Sequence, residues 1–111
     1  MMSIDYPLSH SEFEVQSELY HRLKGIGLDV RGCVKSKCED FGKLRTVFFD
    51  LVVFNNGSAT HILECKNKPG RTSTHPNSRQ LRRYSKFGVP VVWCYSFDQI
   101  EKVVASFSSP S

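Results

Sequence analysis

The sequence predicts an α/β domain with a mixed central sheet flanked by helices, and three observations predict it. Residues 48–66 read as an apolar hairpin: Phe48-Phe49-Asp50-Leu51-Val52-Val53-Phe54, a turn at Asn55-Asn56-Gly57-Ser58, then Ile62-Leu63-Glu64-Cys65-Lys66. A segment of helical period precedes it. A second helical segment follows it and leads into a short apolar run at residues 89–95.

The first helix is expected over residues 11–23, where Val15, Leu19, Leu23 and Ile26 recur at helical spacing. Ser9 or Ser11 is its N-cap, and Gly25 and Gly27 are its stop signals. Residues 28–35 alternate around Val30 and Val34 and read as an outer strand, followed by a polar loop over 36–44. The hairpin supplies the next two strands. Residues 67–76 are rich in turn formers and basic, and read as a long mobile loop. A helix over 77–87, closed by Gly88, turns Leu81, Tyr84 and Phe87 inward and Arg79, Arg82, Arg83 and Lys86 outward. The run at 89–95 is continuous enough for a buried strand that Pro90 must open. A last helix starts near Ser96 and packs Ile100, Val103, Val104 and Phe107; a disordered tail occupies about 108–111.

With 111 residues the chain makes one small domain. Its net charge of +4 and pI near 9.0 favour a polyanionic partner. Clustering matters more than the sum. Lys66, Lys68, Arg71, Arg79, Arg82, Arg83 and Lys86 fall in one stretch, as a phosphate-tracking surface requires. The four cysteines form no C-x-x-C pair, no signal peptide opens the chain, and no segment is long enough to cross a membrane, so a reduced, cytoplasmic protein is expected. Zinc held by Cys33, Cys38 and a histidine is an alternative that their spacing disfavours.

Asp50, Glu64 and Lys66 place ionisable groups in strands that are otherwise apolar, where burial is expensive. The loop length decides which way they point. A two-residue loop at Asn56-Gly57 sets Asp50 opposite Leu63, with Glu64 on the other face. A three-residue loop, Asn55-Asn56-Gly57, sets Asp50 opposite Ile62 and brings Glu64 and Lys66 to its face. The three-residue loop is expected, with Asp50 beginning its strand and Glu64 ending its own. Two carboxylates then offer hard oxygen ligands to Mg²⁺ or Mn²⁺, and the lysine orients or activates a water.

Asp50 followed by Glu64-Cys65-Lys66 across a hairpin resembles the signature of the PD-(D/E)XK, or restriction-endonuclease-like, nucleases. Phe49 stands where the family's name has proline. The resemblance spans the whole chain, because the family's αβββαβ core can be read through it in order, and the size is similar to small stand-alone phage-type or VRR-type members. It implies a metal-dependent DNA endonuclease in which Asp50, Glu64 and the Cys65 carbonyl bind metal and Lys66 assists the attacking water. Glu12, on the apolar side of the first helix, is the candidate for the family's helix acid, with Glu14 second; closing a capping box with Ser9 is the alternative. Gln80 and Tyr84, one turn apart, are similar to an additional Gln-x-x-x-Tyr motif that sets the site and contacts nucleic acid, against a reading of Tyr84 as core. Lys68, Arg71, Arg79, Arg82, Arg83 and Lys86 would hold the phosphates of double-stranded or branched DNA. A core this small makes one cut per site, so a homodimer or higher oligomer is expected. Holliday-junction resolvase and site-specific, homing-type endonuclease are alternatives on the same core, and a catalytically silent nucleic-acid-binding module is the non-enzymatic one.

Overall fold

Val15, Leu19 and Leu23 line one stripe of a helix, α1 (His10–Gly25), and all three are fully buried. The structure is a computed structural model describing residues 10–66 and 78–108, without the side chains of residues 10, 11 and 78–81. Ser9, an expected cap, lies outside that description. At the other end the Leu28 N–H donates to the Leu23 carbonyl at 3.2 Å and the Gly27 N–H to the Lys24 carbonyl at 3.0 Å. This is a Schellman closure, with Gly27 at φ 94° in the left-handed position and Leu28 packed against the core that includes Leu23. Ile26, expected inward, falls beyond the last helical turn and is exposed.

The chain then forms β1 (Asp29–Asp40), β2 (Lys43–Asn55) and β3 (Ser58–Cys65), an antiparallel meander. The loop expected over 36–44 is instead strand closed by a two-residue turn, with Phe41 at φ 53° and Gly42 at φ 75° between the paired Asp40 and Lys43. Burial alternates in that segment, with Cys38 and Asp40 enclosed beside exposed Lys37 and Glu39, but the sequence carries no apolar stripe there. The extension therefore makes β1 and β2 a long two-stranded arm.

The turn between β2 and β3 also differs from expectation. Asn55 pairs with Ser58 across Asn56 (φ 54°) and Gly57 (φ 82°), a two-residue turn. The register then slips: Phe54 pairs with Ala59 but Val53 pairs with His61, so Thr60 is an extra residue. Its hydroxyl donates to the Val53 carbonyl at 3.2 Å. Beyond the bulge Leu51 pairs with Leu63, and one step further Asp50 comes opposite Glu64, two residues along from the predicted Ile62. Asp50 lies within β2 rather than at its start.

Strand β4 (Val91–Cys94) runs parallel to β3, giving the order β1-β2-β3-β4 in a mixed sheet. It is an edge strand, which is why Val91, Val92 and Trp93 are half-buried and only Cys94 is enclosed, against the expectation of a buried strand. The helix α2 (Ser78–Ser85) lies between β3 and β4 in sequence, and Gly88 at φ 70° follows it. The last helix, α3 (Phe97–Ser108), buries Ile100, Val103 and Val104 as predicted. Its first turn is held by the Tyr95 N–H, which donates to Gln99 Oε1 at 2.7 Å.

Two cores result. On one face of the sheet α1 and α3 cover Val30, Leu51, Val53, Leu63, Cys65 and Cys94. On the other, Tyr84 and Phe87 from the α2 side cover Val47, Phe49, Val52 and Ile62. Phe49 meets Tyr84 and Phe87 edge-on, at 5.0 and 5.1 Å between ring centres. Among the described residues no helix is long and apolar enough to cross a membrane.

Candidate functional site

The site lies where the β1–β2 ribbon changes faces. In β2 the odd residues Leu51 and Val53 face α1 and α3, yet the odd residues Val47 and Phe49 face α2. In β1, Val30 faces α1 whereas Val34 and Cys38 face α2. Strict alternation forbids this unless each strand reverses between those positions. The ladder pairs Gly32 with Leu51 and Val34 with Phe49 but omits Cys33 opposite Asp50, and Cys33 has φ 53°.

At that break the main chain of Asp50 bonds to side chains. Its N–H donates to Glu64 Oε2 at 3.1 Å, and its carbonyl accepts from Gln16 Nε2 at 3.1 Å. The Cys65 N–H in turn donates to Asp50 Oδ2 at 2.8 Å. Each carboxylate thus accepts a main-chain N–H from the other strand, and the pair is fixed across the sheet. Glu64 is only 4% exposed. The Tyr84 hydroxyl reaches this carboxylate and also stands 3.2 Å from the Phe48 carbonyl, so one proton serves two acceptors.

Burial raises the Asp50 pKa, opposed by the Cys65 N–H and the Lys66 charge and reinforced by the Glu12 charge. Glu64 is pushed up to about 8, first by burial and then by the negative charge of Asp50; the Asp50 N–H, Tyr84 and Lys66 pull the other way. Two carboxylates this close and this desolvated do not both ionise readily, so near neutral pH the pair retains a proton that a cation would displace.

No protein-family model, curated protein or solved structure matches the chain. The chemistry therefore rests on these residues.

The structure brings Asp50 and Glu64 together; Lys66 follows the last residue of β3, and the charge of Glu12 acts on Asp50 from α1. Glu14 is exposed and points away. The Cys65 thiol is buried among core side chains, and its pKa is driven upward by burial, which leaves its main chain as the part facing the site. Lys68, Arg71 and His75 lie outside the described residues, as do the side chains of Arg79 and Gln80.

Two expectations change. Tyr84, placed on the nucleic-acid surface by its motif, is 2% exposed and supports Glu64 from within the core. Arg82 and Arg83, expected on an open basic face, both engage Asp40: Arg82 donates to both carboxylate oxygens at 3.1 and 2.9 Å, and Arg83 Nε donates at 2.9 Å. Arg82 also stacks on the Phe41 ring at 4.6 Å. Lys86 is exposed, as predicted. His61, read as a strand residue, packs edge-on against Phe107 at 4.7 Å.

Sequence reasoning missed Gln16 and Asp40. Gln16 is 7% exposed, and its position four residues after Glu12 puts the two on one face of α1, which was the available signal. Among the described residues its Oε1 is a buried acceptor without a partner. This atom, two carboxylates and the hard character of every oxygen present fit a divalent cation that carries waters, since a bound water would supply the missing hydrogen. Among the described residues no three His, Cys, Asp or Glu side chains close on one point, so such a cation would take two carboxylates and complete its shell with water and substrate.

Proposed function

We propose that the chain is a metal-dependent endonuclease that hydrolyses DNA phosphodiester bonds on a restriction-endonuclease-like αβββαβ core. The observation that carries this reading is the reciprocal pair Asp50 and Glu64, fixed on adjacent antiparallel strands with Lys66 immediately after. The element order and the parallel β4 support the same reading.

Asp50 and Glu64, with the Cys65 carbonyl, would hold Mg²⁺ or Mn²⁺. Bound there, the cation would lower the pKa of a water and polarise a phosphoryl oxygen. Gln16 holds the main chain of Asp50, and Tyr84 favours the ionised form of Glu64. Lys66 positions the attacking water and offsets the charge that develops on the phosphate. Glu12 adds a further negative charge on the α1 side. One site makes one cut, so breaking both strands requires a second copy of the chain.

The deciding experiment is cleavage of plasmid, linear, single-stranded and four-way-junction DNA in Mg²⁺, with Asp50→Ala beside the wild type. Cutting that needs metal and disappears in the variant is the expected result, with Ca²⁺ supporting binding but not turnover. The preferred substrate would separate a junction resolvase from a site-specific enzyme. Cutting that survives Asp50→Ala would remove the proposed site. Salt-sensitive DNA binding without any cutting would make the protein a binding module.

A further inference from the structure

The face reversal that builds the site leaves one side of the β1–β2 arm uncovered. Because Val34, Cys38, Val47 and Phe49 turn toward α2, their neighbours Lys35, Lys37, Leu44 and Phe48 turn to the other side, the side of α1. There Phe48 is 65% exposed and Leu44 is also exposed. Register sets Lys35 opposite Phe48 and Lys37 opposite Thr46, whose hydroxyl accepts from Lys37 Nζ at 2.8 Å. Among the described residues no carboxylate pairs with Lys35 or Lys37. On the same side, between Phe13 and Tyr20 of α1 and Gly32 and Cys33 of β1, opens a cleft of about 310 Å³. Phe48 is two residues, about 7 Å, from Asp50 along the strand.

We propose that this face binds an unpaired DNA strand. Phe48 stacks on a base, Lys35 and Lys37 take phosphates beside it, and the cleft at Cys33 receives the next base. The charge is right for a polyanion, and the apolar residues discriminate among polyanions. In a duplex the base faces are stacked on one another, so an exposed phenylalanine gains nothing, whereas an unpaired strand presents them. A second copy of the chain is the poorer occupant, because the centres of protein interfaces are depleted of lysine. The proposal rests on the nuclease reading for its direction, with the strand running from the arm toward Asp50. The substrate class that follows is DNA with a flap, a fork or a junction.

The test is fluorescence anisotropy in EDTA, with a blunt duplex and the same duplex carrying a single-stranded tail. Binding measured without metal is independent of catalysis, so failure to cleave DNA in Mg²⁺ would count against the nuclease reading alone. The wild type should prefer the tailed DNA. Phe48→Ala should weaken tailed binding at least about fivefold and leave blunt binding unchanged, as expected for one lost base stack. Phe48→Trp should restore affinity and Phe48→Leu should not, with circular dichroism showing that each variant is folded. Lys35→Ala with Lys37→Ala should reduce the salt slope on the tailed DNA by about 1.4, at roughly 0.7 per single-strand phosphate. The proposal is overturned by tailed binding unchanged in Phe48→Ala, by equal losses on both DNAs, by full affinity in Phe48→Leu, or by no DNA binding at all. A wild-type dimer that Phe48→Ala dissociates would also overturn it, by assigning the face to a second copy.

Discussion

Glu64 carries a cost that the metal-free protein cannot avoid. An ordinary glutamate ionises near 4.5, whereas Glu64 is pushed up to about 8 by burial and by Asp50. Between those values the folded chain keeps a proton that the unfolded chain releases, so this group's contribution makes stability fall as pH rises through that window. Glu64→Gln should flatten the descent and, at pH 8, leave the metal-free protein more stable than wild type by up to a few kcal/mol. Melting temperatures from pH 5 to 9 in EDTA measure this, and a wild-type slope retained by the variant would refute it. Tyr84→Phe acts on the same carboxylate. Losing the hydroxyl removes a bond that favours ionised Glu64, so the acidic limb of the cleavage rate should move to higher pH, with about 1 kcal/mol of stability lost. A pH–rate profile identical to wild type would leave Tyr84 a packing residue only.

At the scale of elements, the bulge at Thr60 does what loop length was expected to do. Deleting Thr60 would remove the extra residue and join the two-residue turn to an unbroken ladder that still sets Val53 opposite His61 and Asp50 opposite Glu64. Mg²⁺ binding by calorimetry should then be retained, with the strand signal kept in far-ultraviolet circular dichroism; lost binding would show that the site needs the bulge itself and not the register alone. The apolar spacing of Val15, Leu19 and Leu23 and the run from Leu51 to Phe54 made α1 and the central strands legible in the sequence. Parity arguments also identified the carboxylate pair as sharing a face, by the wrong loop. A bulge cannot be read there, because Ala59 and Thr60 suit a regular strand as well as a bulged one. The arm was missed because Ser36, Lys37 and Glu39 carry no apolar stripe, and Asp40 because its partners lie more than 40 residues away.

For the molecule as a whole, Asp40 joins the far end of the arm to α2. It is 3% exposed, and Arg82 and Arg83 hold its carboxyl well below the usual carboxylate range. Its stabilising effect is present above the ordinary carboxylate pKa and is lost as the pH falls toward the depressed one. Asp40→Asn should lower the melting temperature at pH 7 and make hydrogen exchange in the arm faster. It also releases two guanidiniums, so the salt dependence of DNA binding should steepen. An unchanged slope with a lowered melting temperature would confine both arginines to structure. Lys66→Ala should abolish cleavage while leaving DNA affinity within about threefold of wild type; a parallel loss of both would make Lys66 a binding residue instead.

The break at Cys33 and Asp50 also separates two design problems. Everything beyond it hangs from the sheet as a two-stranded ribbon, tied to α2 through Asp40, Phe41, the Phe48 carbonyl and the packing around Phe49. Residues inserted in matched pairs on both strands preserve parity, so each added pair of residues per strand would extend the ribbon by about 7 Å without moving the carboxylates. Reach and the carboxylate site are therefore separately adjustable, and ribbons of different length and tip can be exchanged on one unchanged base.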